Sequence, residues 1–479
     1  MSNARRRQPL RPLSRLALAA AEGTPPQTRP ARIVHVGLGA FHRAHQAWFT
    51  DRALDGADWG IAAFTGRSPQ AALELAPQDG LFTLIERAAE GDRASVIASI
   101  VEAVDGADVA RFLSLLSLSS TAIVTLTITE AGYRLDPGGQ PNTGDRLLAT
   151  DLRWIAAAAS HEDLLEGSAS APRTALGRLL AGLEARRRAD GGPVAIVPCD
   201  NMPSNGALLA SGLRAMAAYA GGELVEWIDH NVSFVSTSVD RITPKTTAAD
   251  LAKAAALTGW QDRAPVVTEP FADWILSGDF PAGRPAWESA GARFVSDIEP
   301  FERRKLWLLN GAHSLLAYAG LERGYATVAE ALADRSCLEW VNEYWDEAAR
   351  HLPTDQLDIA GYRAALLDRF ANPRIAYKLE QIATDGVNKL RVRIAPVVLA
   401  ERGEGGDAAA SVRVLAAWVS LILRGADLAD SESAAIAAAR DNRSAVAVNE
   451  LVALVEPRLV DDASVMSAIR QLVAESSRR

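Results

Sequence analysis

Cysteine is scarce in this chain: Cys199 and Cys337 are the only two in 479 residues. Two thiols build neither a disulfide framework nor a thiolate zinc centre, so a reducing, cytoplasmic setting and two buried small side chains are expected. Also missing is any run of about 20 uncharged apolar residues, the length a membrane-spanning helix needs. There is no basic excess. Fifty Lys and Arg against 59 Asp and Glu leave a net charge of −9, which gives neither nucleic acid nor an anionic membrane a general hold. An anionic ligand must then be met by local positive groups. The seven histidines include no His-Glu-x-x-His pair, and His42 and His45 have no acid or cysteine close by in sequence, so no metal site is expected.

What is present is a soluble composition, 48% hydrophobic and 23% charged, in a chain long enough for two cores. The first 31 residues hold a basic cluster and a short apolar stretch, Leu16 to Ala21, too brief for a secretory signal, and are expected to form a mobile or surface-packed arm. From Arg32 onward, strand candidates at Ile33–Val36, Trp59–Phe64, Phe82–Glu86, Val96–Val101, Thr121–Thr127 and Val194–Pro198 alternate with Ala/Leu-rich helical stretches. That rhythm predicts βαβ units and a largely parallel sheet. Val232–Pro244 and Arg293–Pro300 add later strands. After about Glu302 the spacing turns helical, with Ala400–Ala410 as a loop.

Gly37 and Gly39 follow the first strand, where a dinucleotide pyrophosphate would sit, but His42 stands where the third glycine of G-x-G-x-x-G is expected. Arg43 offers positive charge for the pyrophosphate, and His42 or His45 could reach the crevice or cap the helix. The second strand ends in Thr65-Gly66-Arg67, and an arginine here leans toward a 2′-phosphate, so NAD and NADP both stay open. Asp200, Asn201 and Asn205 follow a buried-looking strand, the two carboxamides as oxyanion donors or all three as ordinary turn and cap residues. On a uniform helix at about 100° per residue, Lys305, Asn310 and His313 share one broad face. No Tyr-x-x-x-Lys pair occurs, which leaves lysine as the candidate for acid–base work.

The motifs Gly37-Leu38-Gly39-Ala40-Phe41-His42-Arg43-Ala44-His45-Gln46, Thr125–Tyr133, Cys199–Gly206, Ser238–Pro244, Thr268–Trp274, Gly283–Glu288 and Lys305–Ser314 together resemble the mannitol dehydrogenase family of polyol-specific long-chain dehydrogenases, which also contains fructuronate reductases. The resemblance implies an α/β fold: an expanded Rossmann-type domain at 32–295 and a mostly α-helical domain at 296–479, with substrate between them and no metal. It implies NAD or NADP held by Gly37, Gly39, Phe41, His42, Arg43, Arg67, Thr129 and Glu130. Lys305 would be the acid–base, Asn201 and Asn310 would stabilise the oxyanion, His313 would orient substrate, and Glu302 would gate proton exchange.

Asp240, Lys389, Arg393 and Gln381 would line the substrate. The stretch Gln381–Ile394 is more similar to the uronate reductases than to the mannitol enzymes, because Gln381, Lys389-Leu390 and Arg393 match the former. Arg391 stands where the family has proline, which implies a different local path. The expected partner is a small sugar acid or polyol, handled by a monomer or weak oligomer. Three functions stay open: fructuronate–mannonate interconversion, polyol–ketose dehydrogenation, and nucleotide or ligand binding without turnover.

Overall fold

The computed structural model describes residues 10–136, 138–158, 171–353, 355–375, 377–442, 444–476 and 478. The basic cluster at Arg5–Arg7 lies outside them. By internal contacts the chain divides into two compact units, Met1–Ile298 and Glu299–Arg479.

In the first unit six strands, β1 (Ala31–Val36), β2 (Gly60–Phe64), β3 (Ile100–Val104), β4 (Ile123–Leu126), β5 (Val194–Pro198) and β6 (Val232–Phe234), form one sheet. Their order is β3-β2-β1-β4-β5-β6 and every pairing is parallel. That is the doubly wound dinucleotide-binding topology, with the order reversing between β1 and β4. Successive strand residues face opposite sides. Val34, Val36, Phe64, Val124 and Ile196 accordingly join one buried cluster, and Ile33, Ile61, Ile123, Ala195 and Val197 the other. The apolar runs without polar alternation reflect a sheet covered on both faces.

Two expectations change here. Val96–Val101 is not one strand: Gly91–Ile97 pairs antiparallel with Phe82–Ala88, and β3 begins only at Ile100. Between them, buried Ser99 donates its hydroxyl to Ala47 O at 2.7 Å, which ties the junction to the neighbouring helix. Val232–Pro244 likewise splits into β6 and Ser236–Asp240, and the latter pairs antiparallel with Asp273–Ser277 in another sheet. Composition marks a segment as extended but does not name its partner.

The arm packs at a few points from residue 11 onward. Arg11–Pro12 pairs with Trp260–Gln261, Leu13 is buried, and Arg15 Nη2 donates to Ala98 O and Ile100 O, both at 2.8 Å.

Among its described residues the second unit is built of helices, with isolated bridge pairing of Thr327 and Lys378. Helix Gly311–Glu322 is buried at every position from Gly311 to Gly320, the mark of a helix enclosed on all sides. The expected loop at Ala400–Ala410 is shorter than foreseen, since one helix runs to Gly403 and the next starts at Ala409. Among the described residues no helix is long and apolar enough to cross a membrane.

Candidate active site

Gly37 leaves β1 with φ 112°, and a Cβ there would lie 2.2 Å from Thr127 O. Only glycine fits. Gly39 differs: a Cβ on it would meet Gly37 O alone, at 3.5 Å. The turn into helix Ala40–Ala44 therefore keeps side-chain atoms away from the space a pyrophosphate approaches, which is the fit a dinucleotide requires. Thr129 and Glu130 are exposed just past β4. Arg67 is exposed past β2, where the adenosine ribose is read. Phe41 is half-buried and stacks on His45 with ring centroids 5.2 Å apart.

His42 and Arg43 both turn inward. His42 is fully buried and stacks on His35, with centroids 3.3 Å apart and planes 9° from parallel. Burial pushes its pKa well below the ordinary histidine value, with nearby His35 adding to the effect. Arg43 is 8% exposed and donates from Nε to Gly39 O at 3.2 Å and from Nη1 to Ala264 O at 2.5 Å. Its charge is directed at backbone carbonyls. Burial lowers its pKa to about 10. His45 is buried as well, its Nε2 at 3.0 Å from Asp273 O.

At the end of β5, Asn201 is exposed. Asn205 is not available as a donor to a ligand. It is fully buried, with Nδ2 donating to Thr237 O at 3.1 Å and Oδ1 accepting from Thr237 N at 2.9 Å. Asp200 accepts the Tyr133 hydroxyl, and burial raises the pKa of both groups. Asp240 ends its strand half-buried. The next residue, Arg241, is structural: it pairs with Glu86 at 2.7 Å and donates to Ala44 O at 2.7 Å.

In the second unit the uniform helix drawn from sequence is replaced by three segments: α-helix Glu299–Arg304, π-helix Lys305–Asn310 and α-helix Gly311–Glu322. In a π-turn the N–H of residue i+5 bonds the C=O of residue i. Asn310 is therefore wound closer to the azimuth of Lys305 than an α-helical wheel allows. Lys305, Asn310 and Glu302 are half-buried; His313 is buried and rests against Phe370 and Tyr377, with centroids 4.7 and 5.3 Å away.

The π-segment is held from outside. Tyr344 and Trp345 on helix Arg335–Arg350 reach across: the Tyr344 hydroxyl lies 3.0 Å from Trp307 O and 3.1 Å from Arg393 O, and Trp345 Nε1 donates to Leu308 O at 2.8 Å. Burial holds the Tyr344 phenol protonated, so it can donate. A Cβ on Gly311 would lie 2.1 Å from the Tyr344 oxygen, so this approach also requires glycine. Tyr344 and Trp345 carry no motif; sequence offers no sign of their role.

Lys389 and Arg393 lie one turn apart on helix Gly386–Arg393, while Gln381 is exposed on helix Leu379–Ala383. Lys389 Nζ donates to Ile382 O at 3.0 Å. Arg393 Nη1 donates to Asn310 O at 3.3 Å and Ser314 Oγ at 3.2 Å, which places it beside the π-segment. Burial lowers both pKa values, and the Arg393 charge lowers that of Lys389 further. Arg391 points elsewhere and donates to Leu454 O at 2.7 Å and Val455 O at 3.3 Å, at the C-terminus of helix Ser444–Val455, where orphan carbonyls need donors.

Comparison with known proteins agrees with this architecture. The family model described as the mannitol dehydrogenase Rossmann domain matches residues 31–289, and that of the mannitol dehydrogenase C-terminal domain matches 297–473. The D-arabinitol 4-dehydrogenase of Ralstonia nicotianae is 36% identical over 81% of this chain and 83% of its own. The D-mannonate oxidoreductase of Escherichia coli is 34% identical over 79% and 77%. The Pseudomonas fluorescens mannitol 2-dehydrogenase, solved with NAD and D-mannitol, is 31% identical and covers 97% of this chain and 100% of its own at a TM-score of 0.74. The chain thus belongs to the mannitol dehydrogenase family and is an NAD-dependent oxidoreductase acting on a CH–OH group.

Proposed function

We propose that the substrate pair is a keto-uronate and its aldonate, D-fructuronate and D-mannonate. The observation that supports this reading is the state of Arg393. Its Nη1 is committed to Asn310 O and Ser314 Oγ, whereas Nε and Nη2 have no hydrogen-bonding partner among the described residues. That free edge is the one a carboxylate engages bidentately. Lys389 stands one turn away, and neither cation has an ion-pair partner among the described residues. Burial and the nearby Arg393 charge lower the proton affinity of Lys389, and a half-buried pair of cations without a bonded carboxylate favours an anion beside it.

The nicotinamide, when bound, supplies or accepts the hydride. Lys305 takes the hydroxyl proton in oxidation and returns it in reduction. Asn310, whose position is set by the π-segment, donates its amide to the alkoxide, and His313 orients the substrate. Asn201 and Asp240 keep the oxyanion and substrate-lining roles that the resemblance implies, as does Glu302 its proton gate.

The test compares kcat/KM for D-fructuronate and D-fructose, with NADH and NADPH, in the parent protein and in Arg393→Leu. Fructuronate should be preferred by about tenfold to a hundredfold, the range a charged hydrogen bond supplies. Arg393→Leu should erase that preference. A fructose value equal to or above the fructuronate value overturns the uronate reading in favour of a polyol–ketose pair, and an equal loss on both substrates reduces Arg393 to a support of the π-segment.

A further inference from the structure

His35 is fully buried in β1, among the buried apolar residues Ile33, Val34 and Val36. Burial lowers its pKa to about 3, so the ring is neutral at working pH. Its Nδ1 lies 2.8 Å from Thr125 Oγ1 and its Nε2 lies 3.0 Å from Thr127 Oγ1. The Thr127 hydroxyl in turn donates to Gly37 O at 2.9 Å.

A hydroxyl has one proton to give. Because Thr127 gives its proton to Gly37 O, it must accept from His35, which puts the imidazole proton on Nε2. Nδ1 is then an acceptor, and Thr125 donates to it. The chain of bonds has one direction: Thr125 to His35, His35 to Thr127, Thr127 to the carbonyl of Gly37. It ends at the residue that opens the cofactor turn, where β1 and β4 part. Thr127 N also donates to Val36 O at 2.9 Å, so backbone and side chain of Thr127 clamp the same turn.

His42 closes the arrangement from the other side. In the usual motif a third glycine lets the helix approach the strand. Here the flat ring of His42, lying 3.3 Å over His35, fills that space and covers the imidazole. The missing glycine and the buried strand histidine are two halves of one device.

We propose that His35, Thr125 and Thr127 are positioning residues for the dinucleotide: they fix the carbonyl and plane of Gly37 in the orientation that admits the pyrophosphate, with His42 as their cover. The proposal concerns cofactor binding and stands apart from the substrate assignment. It is tested by the dissociation constant of NADH, read from cofactor fluorescence without substrate, for Thr127→Val and Thr127→Ser. Val keeps the shape and loses the hydroxyl; Ser keeps the hydroxyl.

Thr127→Val should weaken NADH binding about tenfold, the value of one hydrogen bond, and the cofactor KM should rise more than kcat falls. Thr127→Ser should restore the parent affinity. If Thr127→Val is not recovered folded, Thr127→Ala against Thr127→Ser makes the same comparison. Parent-like NADH affinity in the variant lacking the hydroxyl, or an equal loss in Thr127→Ser, overturns the proposal. A lowered Tm with unchanged affinity also overturns it, since that is what a purely structural bond would give.

Discussion

The cofactor turn and the lysine-bearing helix both depart from ideal geometry, and they do so in opposite ways. At Gly37–Arg43 the departure is a residue type: a histidine stands where glycine is expected, and the backbone keeps its usual strand-turn-helix course. At Lys305–Asn310 the residues look ordinary for a helix and the backbone itself changes, to i→i+5 bonding. The first kind of exception is compensated by a neighbouring side chain, His35. The second is compensated by donors 37 residues away, Tyr344 and Trp345. The glycine turn is thus secured locally and the π-segment by long-range packing.

Acid should break the first region with the larger effect. His35 is held neutral down to about pH 3 in the fold, while in the unfolded chain it takes up a proton below about 6.5. The unfolded state therefore binds more protons across that window, and stability falls as pH drops through it. His42, also pushed down, adds in the same direction. On the linkage relation the His35 contribution alone is on the order of 5 kcal/mol at the foot of the window. Unfolding by urea at a series of pH values checks this, and His35→Gln should flatten the curve. Stability unchanged from pH 7 to pH 4 would contradict it.

A smaller effect sharpens the contrast at the second region. Tyr344→Phe removes the hydroxyl beside Trp307 O and should cost about 1–3 kcal/mol, the desolvation of an acceptor left unpaired. It should lower kcat by about tenfold while leaving the NADH dissociation constant unchanged. Equal changes in kcat and cofactor affinity would show that the two regions are not separately secured.

How far these features were legible in sequence follows the same division. The parallel sheet could be read because β2, β4 and β5 are apolar at nearly every position, a pattern that only a sheet covered on both faces requires. Gly37 could be read from its place after β1. His42 was visible as an exception, but its inward turn depends on His35, seven positions earlier in sequence and on the adjoining strand. Asn205 looked like a donor because its neighbour Asn201 shares its chemistry, and only the closure of Thr237 upon it reveals a structural amide. The π-segment left no trace, since periodicity cannot register one wider turn. Arg391, an apparent departure from the family pattern, is explained by a helix end that lies more than 60 positions onward.

The central proposal is that Lys305 moves the proton and takes no part in holding the dinucleotide. The most direct test is Lys305→Ala, with turnover and NADH dissociation constant measured on the same preparation. The expected result is a loss of about 10²–10⁴-fold in kcat, the worth of a general acid–base group, with NADH affinity unchanged. Near-parental turnover, or a parallel loss of cofactor affinity, would contradict it.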